Sequence, residues 1–144
     1  MITKKLIHPQ ILQSLAAAGH GSTILIADGH YPVSTGTNPS ADRVYLNLMP
    51  GIPLVTEVAE ALVDTVAIEA AYVMTPGEGD EPPVFAEFRN ILGPELPLKE
   101  LDRFAFYDQA KTPDLALAIA TGDTRTYANL LLTIGVAQVY NRPR

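Results

Sequence analysis

The stretch 16–28 (AAAGHGSTILIAD) constrains the fold more than any other part of the chain. A run of alanines ends at Gly19, His20 sits between two glycines, and Thr23-Ile24-Leu25-Ile26-Ala27 leads to Asp28. Glycine on both sides of His20 lets the backbone take positive φ or pass close to a neighbour, so the spacing predicts a helix stop and a tight turn. Five apolar or β-branched residues in succession predict a strand buried on both faces, which belongs in a sheet covered by helices. Asp28 is then a polar group delivered to the rim of that sheet. On this pattern alone two readings stand level. His20 and Asp28 are chemical groups, or His20 caps a helix C-terminus and Asp28 caps the next element.

The rest of the chain continues the alternation. His8-Pro9-Gln10 opens a helix with proline in its first turn, Ile11, Leu12 and Leu15 form its apolar stripe, and Gly19 stops it. Turn formers crowd 29–42, and 43–48 reads as a strand in which Val44, Leu46 and Leu48 alternate with Tyr45 and Asn47. A Pro50-Gly51-Ile52-Pro53 turn leads to a helix with Leu54, Val55, Val58, Ala61 and Leu62 on one face. The segment 66–74 reads as a strand, although its alanines also suit a helix, and 75–83 (TPGEGDEPP) reads as a loop. A helix over 84–92 turns Phe85, Phe88, Ile91 and Leu92 inward, 96–101 is a short strand or connection, and 103–111 is a helix ending before Thr112-Pro113. Strands at 115–120 and an apolar run at 130–136 complete an α/β layered domain, with 1–144 expected to be a single domain.

Composition excludes several function classes. The net charge is −6 and no basic cluster exceeds Lys4-Lys5, so a nucleic-acid partner is not expected, because neutralising phosphates requires a basic face. No apolar run reaches membrane-spanning length, and no signal-peptide pattern is present. Without cysteine there is no disulfide, thiol nucleophile or thiolate metal site, and a cytoplasmic protein is the expectation. The apolar share of 47% fills a core and leaves a surplus compatible with burial between subunits.

Polar side chains beside the apolar runs are the candidates for chemistry: His20, Asp28, His30, Arg103, Tyr107, Arg125, Tyr127 and Asn129. Ligands gather outside strand ends in α/β sheets, so Asp28 and the Tyr127/Asn129 pair are expected to share a pocket. The plain alternatives are a half-buried Tyr127 at the sheet margin and an Asn129 that satisfies a turn. His20, Asp28 and His30 have the right ligand types for a metal site, but their spacing matches no helical metal motif. The Gly19–Ser22 turn follows a helix and enters a strand, the reverse of a phosphate loop. No Gly-x-Ser-x-Gly elbow supports a serine nucleophile.

Taken in order, Ala18-Gly19-His20-Gly21, Ile26-Ala27-Asp28, Arg103-Phe104-Ala105-Phe106-Tyr107 with Ala110-Lys111, Ala120-Thr121-Gly122 and Tyr127-Ala128-Asn129-Leu130 resemble the D-ribose pyranase / L-fucose mutarotase (RbsD/FucU) family. The likeness runs from Ile7 to Val136. The 103–111 stretch is closer to the fucose mutarotase branch, and 50–53 to the pyranase branch. Departures are Ser22 where the family usually has Asp, Gly29-His30-Tyr31 in place of Ala-Asn-Phe, and a slightly longer 111–120 connection.

The resemblance implies a three-layer α/β/α domain with a central mixed sheet. It also implies an isomerase that interconverts anomers or ring forms of an aldose such as L-fucose, without cofactor or metal. His20 would be the general acid, and Asp28, Arg103, Tyr127, Ala128 and Asn129 would bind the monosaccharide. Subunits would assemble into a ring, with each pocket completed by a neighbouring chain. A sugar-binding or regulatory module that kept the pocket, and a metal-dependent hydrolase using His20, Asp28 and His30, are the competing readings. His30 is either an exposed loop histidine or a pocket residue that replaces a hydrogen bond of the usual Asn.

Overall fold

In the computed structural model, which describes residues 1–137, strands and helices alternate much as the hydrophobic pattern predicts. The last seven positions of the expected domain, 138–144, lie outside the described residues. The order is α1 (Pro9–Ala17), β1 (Thr23–Ala27), β2 (Asp42–Tyr45), α2 (Val55–Val63), β3 (Ile68–Met74), α3 (Val84–Leu92), β4 (Leu98–Leu101), α4 (Arg103–Ala110), β5 (Leu115–Ala120) and β6 (Leu130–Ile134). They build a six-stranded sheet in the order β2-β5-β1-β6-β3-β4. Every neighbouring pair is parallel except those made by β6, which runs against both β1 and β3. The sheet is therefore mixed, with five strands pointing one way and one the other.

Alternation along the strands divides the core into two layers. Ile24, Ile26, Leu117, Ile119, Leu130 and Leu132 face α1, α2 and α3, where they meet Ile11, Leu62, Phe85 and Phe88. Leu25, Ala27, Ala118 and Leu131 face the other way, onto Phe106 and Ala110 of α4 and onto Tyr31 and Val33 of the loop after β1. The result is the three-layer α/β/α arrangement, with the 31–41 loop sharing the second layer with α4.

Three expectations change in detail. Helix α1 ends at Ala17, with Ala18 extended as its cap, and the positive φ of the following turn falls on Gly21 (+88°) and not on Gly19. The strand expected over 43–48 stops at Tyr45. The chain then folds into the 49–52 turn, and Leu48 is left exposed. The cause is the partner: among the described residues β2 pairs only with β5, which ends at Ala120. The turn instead clamps the segment after β5, where Gly122 donates to Pro53 O at 3.0 Å and accepts from Gly51 N. A Cβ on Gly122 would stand 2.2 Å from Met49 O, so only glycine fits this crossing. Finally, 66–74 settles as a strand from Ile68 onward despite its alanines, because pairing on both sides overrides helix propensity.

Candidate active site

The topology decides which polar groups meet. Five co-directional strands bring their C-terminal ends to one rim, and antiparallel β6 starts at that rim. Asp28 follows β1, Met74 ends β3, Arg103 follows β4, and Thr126, Tyr127 and Asn129 precede β6. Together with His30, Tyr31 and Tyr107 they line a pocket of about 250 Å³. Its place outside the carboxyl ends of a largely parallel sheet is the usual site for ligands in α/β folds.

Asp28 and Asn129 form the floor. Asp28 is 3% exposed, and its backbone N–H donates to Asn129 Oδ1 at 2.8 Å. Asn129 Nδ2 returns a hydrogen bond to Asp28 Oδ2 at 3.2 Å. Asp28 Oδ1 accepts from the N–H groups of His30 and Tyr31, each at 2.9 Å, which folds the chain back after the strand. Capping the next turn is thus part of what Asp28 does. A carboxylate offers about four lone-pair sites. Two donors occupy Oδ1 and one occupies Oδ2, so one site on Oδ2 is left to accept from a ligand. Burial raises the Asp28 pKa above its ordinary 3.8, against the hydrogen bonds from His30 and Tyr31, which lower it.

The walls are aromatic and cationic. The Arg103 guanidinium lies over the Tyr107 ring at 5.5 Å and donates from Nε to the Tyr107 hydroxyl at 3.3 Å. Asp102 caps α4 by accepting from Ala105 N at 2.8 Å, which fixes the helix that presents both residues. Tyr31 packs edge-on against Tyr107 and Phe106 and donates its hydroxyl to Gly36 O at 2.9 Å. Tyr127 takes a left-handed backbone with φ of 63°. That costs an aromatic residue about 1–2 kcal/mol and, at a pocket, points to a conformation held for function. Next to it the loop is braced by buried Asp123, which accepts from Val55 N at 3.0 Å and pairs with Arg125 at 2.8 Å.

The six expected site residues divide. Asp28, Arg103, Tyr127 and Asn129 come together in the pocket. Ala128 does not line it; the residue is fully buried in the core beneath. His20 lies at the other edge of the sheet, before β1. Its Nε2 is 2.9 Å from Glu69 Oε2 and its ring is largely exposed. Five strand residues separate the two edges, a span of roughly 16 Å, so one chain does not put His20 and Asp28 in a common cavity. Within one chain His20 is likewise too far from Asp28 and His30 to share an ion with them, and no group of three His, Cys, Asp or Glu side chains that could hold a metal ion forms among the described residues.

His30 reaches the pocket despite its exposure, with its ring anchored through Nε2 to Thr124 O at 3.0 Å. Met74, Tyr31 and Thr126 were not singled out as pocket residues from sequence. Their one signal is position: Met74 ends β3, and Tyr31 and Thr126 lie on the loops that leave β1 and enter β6 at this rim.

The sequence profile of the RbsD / FucU transport protein family matches residues 1–137. The chain belongs to the RbsD/FucU family. Among similar proteins, a human fucose mutarotase (Homo sapiens) is 34% identical over 141 residues, covering 91% of this chain and 90% of that one. A D-ribose pyranase of Coprothermobacter proteolyticus is 28% identical over 131 residues, covering 91% and 95%. The RbsD/FucU fold is shared with solved structures. Bacillus subtilis RbsD complexed with D-ribose superposes with a TM-score of 0.81 at 26% identity, over 96% of this chain and all of that one. A fucose mutarotase of Streptococcus pneumoniae in complex with L-fucose gives 0.75 at 25% identity, over 95% and 98%.

Proposed function

We propose that this chain is a mutarotase or pyranase-type isomerase, which opens and recloses the ring of an aldose such as L-fucose. The observation that carries the reading is the rim pocket, where a buried carboxylate with one acceptor site left, an amide, phenols and a guanidinium converge on a space suited to a small polyol. Hydroxyl-rich ligands need acceptors and donors in fixed directions. Asp28 Oδ2 keeps one acceptor site, and the second N–H of Asn129 Nδ2 and the outward N–H groups of Arg103 supply donors. The relatives named as fucose mutarotase and D-ribose pyranase support this class of reaction.

The reaction moves two protons. Protonated His20 gives one to the ring oxygen, while the anomeric hydroxyl passes its own to a pocket acceptor, for which Asp28 Oδ2 has the free lone pair. The C1–O5 bond opens to an aldehyde and a hydroxyl, C1 rotates, and closure on the other face reverses both transfers. Imidazole suits this because it gives and recovers a proton near neutral pH.

Since His20 and the pocket lie on opposite edges of one chain, the reading places His20 of a second copy at the mouth of the pocket, in a ring-like homo-oligomer in the cytoplasm. Exposed Tyr45, Leu48, Met49 and Ile52, clustered around the turn beside the pocket rim, offer apolar surface for such a contact. The test is complementation. His20→Ala and Arg103→Ala are each expected to lose anomer exchange measured by saturation-transfer NMR. Co-expression should restore exchange to on the order of a quarter of the wild-type rate, because in random assembly that share of all contacts pairs an intact rim with an intact imidazole. Full exchange in His20→Ala alone would end the proposal, and sugar binding without exchange in the wild type would favour the non-catalytic module.

A further inference from the structure

At the edge opposite the pocket, the His20 ring is built into a site of its own. The turn that carries it is tied down by Gly21 N donating to Ile134 O at 2.9 Å and Ser22 N donating to Gly19 O at 3.0 Å. The Ser22 hydroxyl is committed within the turn, accepting from Gly19 N at 3.4 Å. The carboxylate that meets the ring comes instead from β3, 49 residues away in sequence: Glu69 Oε2 lies 2.9 Å from His20 Nε2.

Glu69 is placed there by an irregularity in the sheet. Along β3, Ile68 pairs with Ile134 and Ala70 with Thr133, so Glu69 is the extra residue of a bulge. A bulge breaks the alternation of side chains and re-aims the residue it inserts, and bulges recur beside functional sites. The opposing strand leaves room for it, because a Cβ on Gly135 would stand 3.0 Å from Glu69 Cβ and 3.3 Å from its backbone nitrogen. Gly135 N in turn donates to Ala67 O at 2.8 Å and pins the start of the strand. Turn, bulge and glycine thus converge on one imidazole–carboxylate contact.

We infer that Glu69 is the positioning residue of His20: it accepts the Nε2 proton and so leaves Nδ1 as the nitrogen that exchanges a proton with the sugar. A carboxylate on one ring nitrogen selects the tautomer and fixes the direction of the other, the usual way an imidazole is oriented for acid–base work. This rests on the reading of His20 as the general acid. The pair is half-exposed, so the contribution is orientation of the ring more than charge.

The test uses the full-length protein with 15N-labelled histidine, its His20 resonances assigned by their loss in His20→Ala. At a pH where the ring is neutral, wild type should carry its proton on Nε2. Glu69→Ala should move it toward the tautomer mixture of a free imidazole and lower kcat for anomer exchange by roughly tenfold, with sugar affinity unchanged. Glu69→Gln, which keeps an acceptor oxygen and the side-chain shape, should retain the tautomer and recover part of the rate; it also carries the test if the alanine variant folds poorly. Wild-type kcat in Glu69→Ala, or an unchanged His20 tautomer, overturns the inference while leaving His20 as the acid. Exchange that survives in His20→Ala instead removes the reading on which it rests.

Discussion

The two edges of the sheet are built on opposite principles. At the rim, Asp28 and Asn129 are buried and exchange hydrogen bonds across 101 residues of sequence, so the groups that line the pocket also hold the loops in place. At the other edge, His20 and Glu69 are about half exposed and touch each other, His20 on a turn whose integrity comes from backbone hydrogen bonds and Glu69 on the bulge of β3. A buried polar pair is expensive to break because each orphaned group keeps its desolvation penalty, whereas an exposed pair falls back on water. Under the proposed function, sugar binding and stability are therefore coupled at the rim, while catalysis and stability are uncoupled at the histidine edge.

The sharpest way to break that contrast is His20→Ala. It should lower catalysed anomer exchange by about 10²–10⁴-fold while moving unfolding stability by less than about 0.5 kcal/mol. A stability loss of several kcal/mol in urea titration would show that this edge is structural as well. Next in size is Asn129→Leu, which leaves Asp28 N–H and one carboxylate oxygen without their partner. It should cost about 2–4 kcal/mol in the same titration and abolish sugar binding. A mild effect would mean that water replaces the amide and that the rim is less dry than its burial implies.

Acid titration sharpens the comparison inside the rim. The Asp28 pKa is raised by burial, so the folded chain holds that proton more tightly than the unfolded one. Stability from this group is present below 3.8 and is lost as pH rises through the folded value. Asp123 behaves oppositely. Burial pushes its pKa up, but hydrogen bonds from Arg125 and from the Val55 and Arg125 backbone outweigh this and lower it, so its stability is present above 3.8 and is lost as pH falls. Stability measured against pH in Asp28→Asn and Asp123→Asn should thus diverge in opposite directions from wild type. Parallel curves would contradict the assignment.

The smallest effect is expected at His30, whose ring is held by a carbonyl at the pocket wall. His30→Asn should leave anomer exchange intact and change relative preference among aldoses by about 2- to 10-fold, the worth of one hydrogen bond. An unaltered preference would return His30 to the role of a loop residue.

Much of this was legible locally. The strands at Thr23–Ala27 and Leu115–Ala120 and the helix at Val84–Leu92 coincide with the boundaries drawn from periodicity and turn residues. Apolar runs and glycine or proline breaks act over a few residues, and these elements need no distant partner to end where they do. Where a distant partner decides, the pattern misleads. The segment 43–48 alternates like a strand as far as Leu48 but stops at Tyr45, where its neighbour β5 runs out.

The candidate site shows the same division. Residue types and the order of short motifs determined which side chains are candidates for chemistry, because acid, base and hydrogen-bonding capacity belong to the side chain itself. They also determined the layered α/β class, because period-2 and period-3.6 burial are written along the chain. Only the tertiary structure decided which of those groups meet. Antiparallel β6 swings Asn129 onto Asp28, the strand direction of β1 carries His20 to the far edge, and a single bulge in β3 aims Glu69 at its ring. Strand order, direction and register arise from long-range packing, and no local stretch of sequence encodes them.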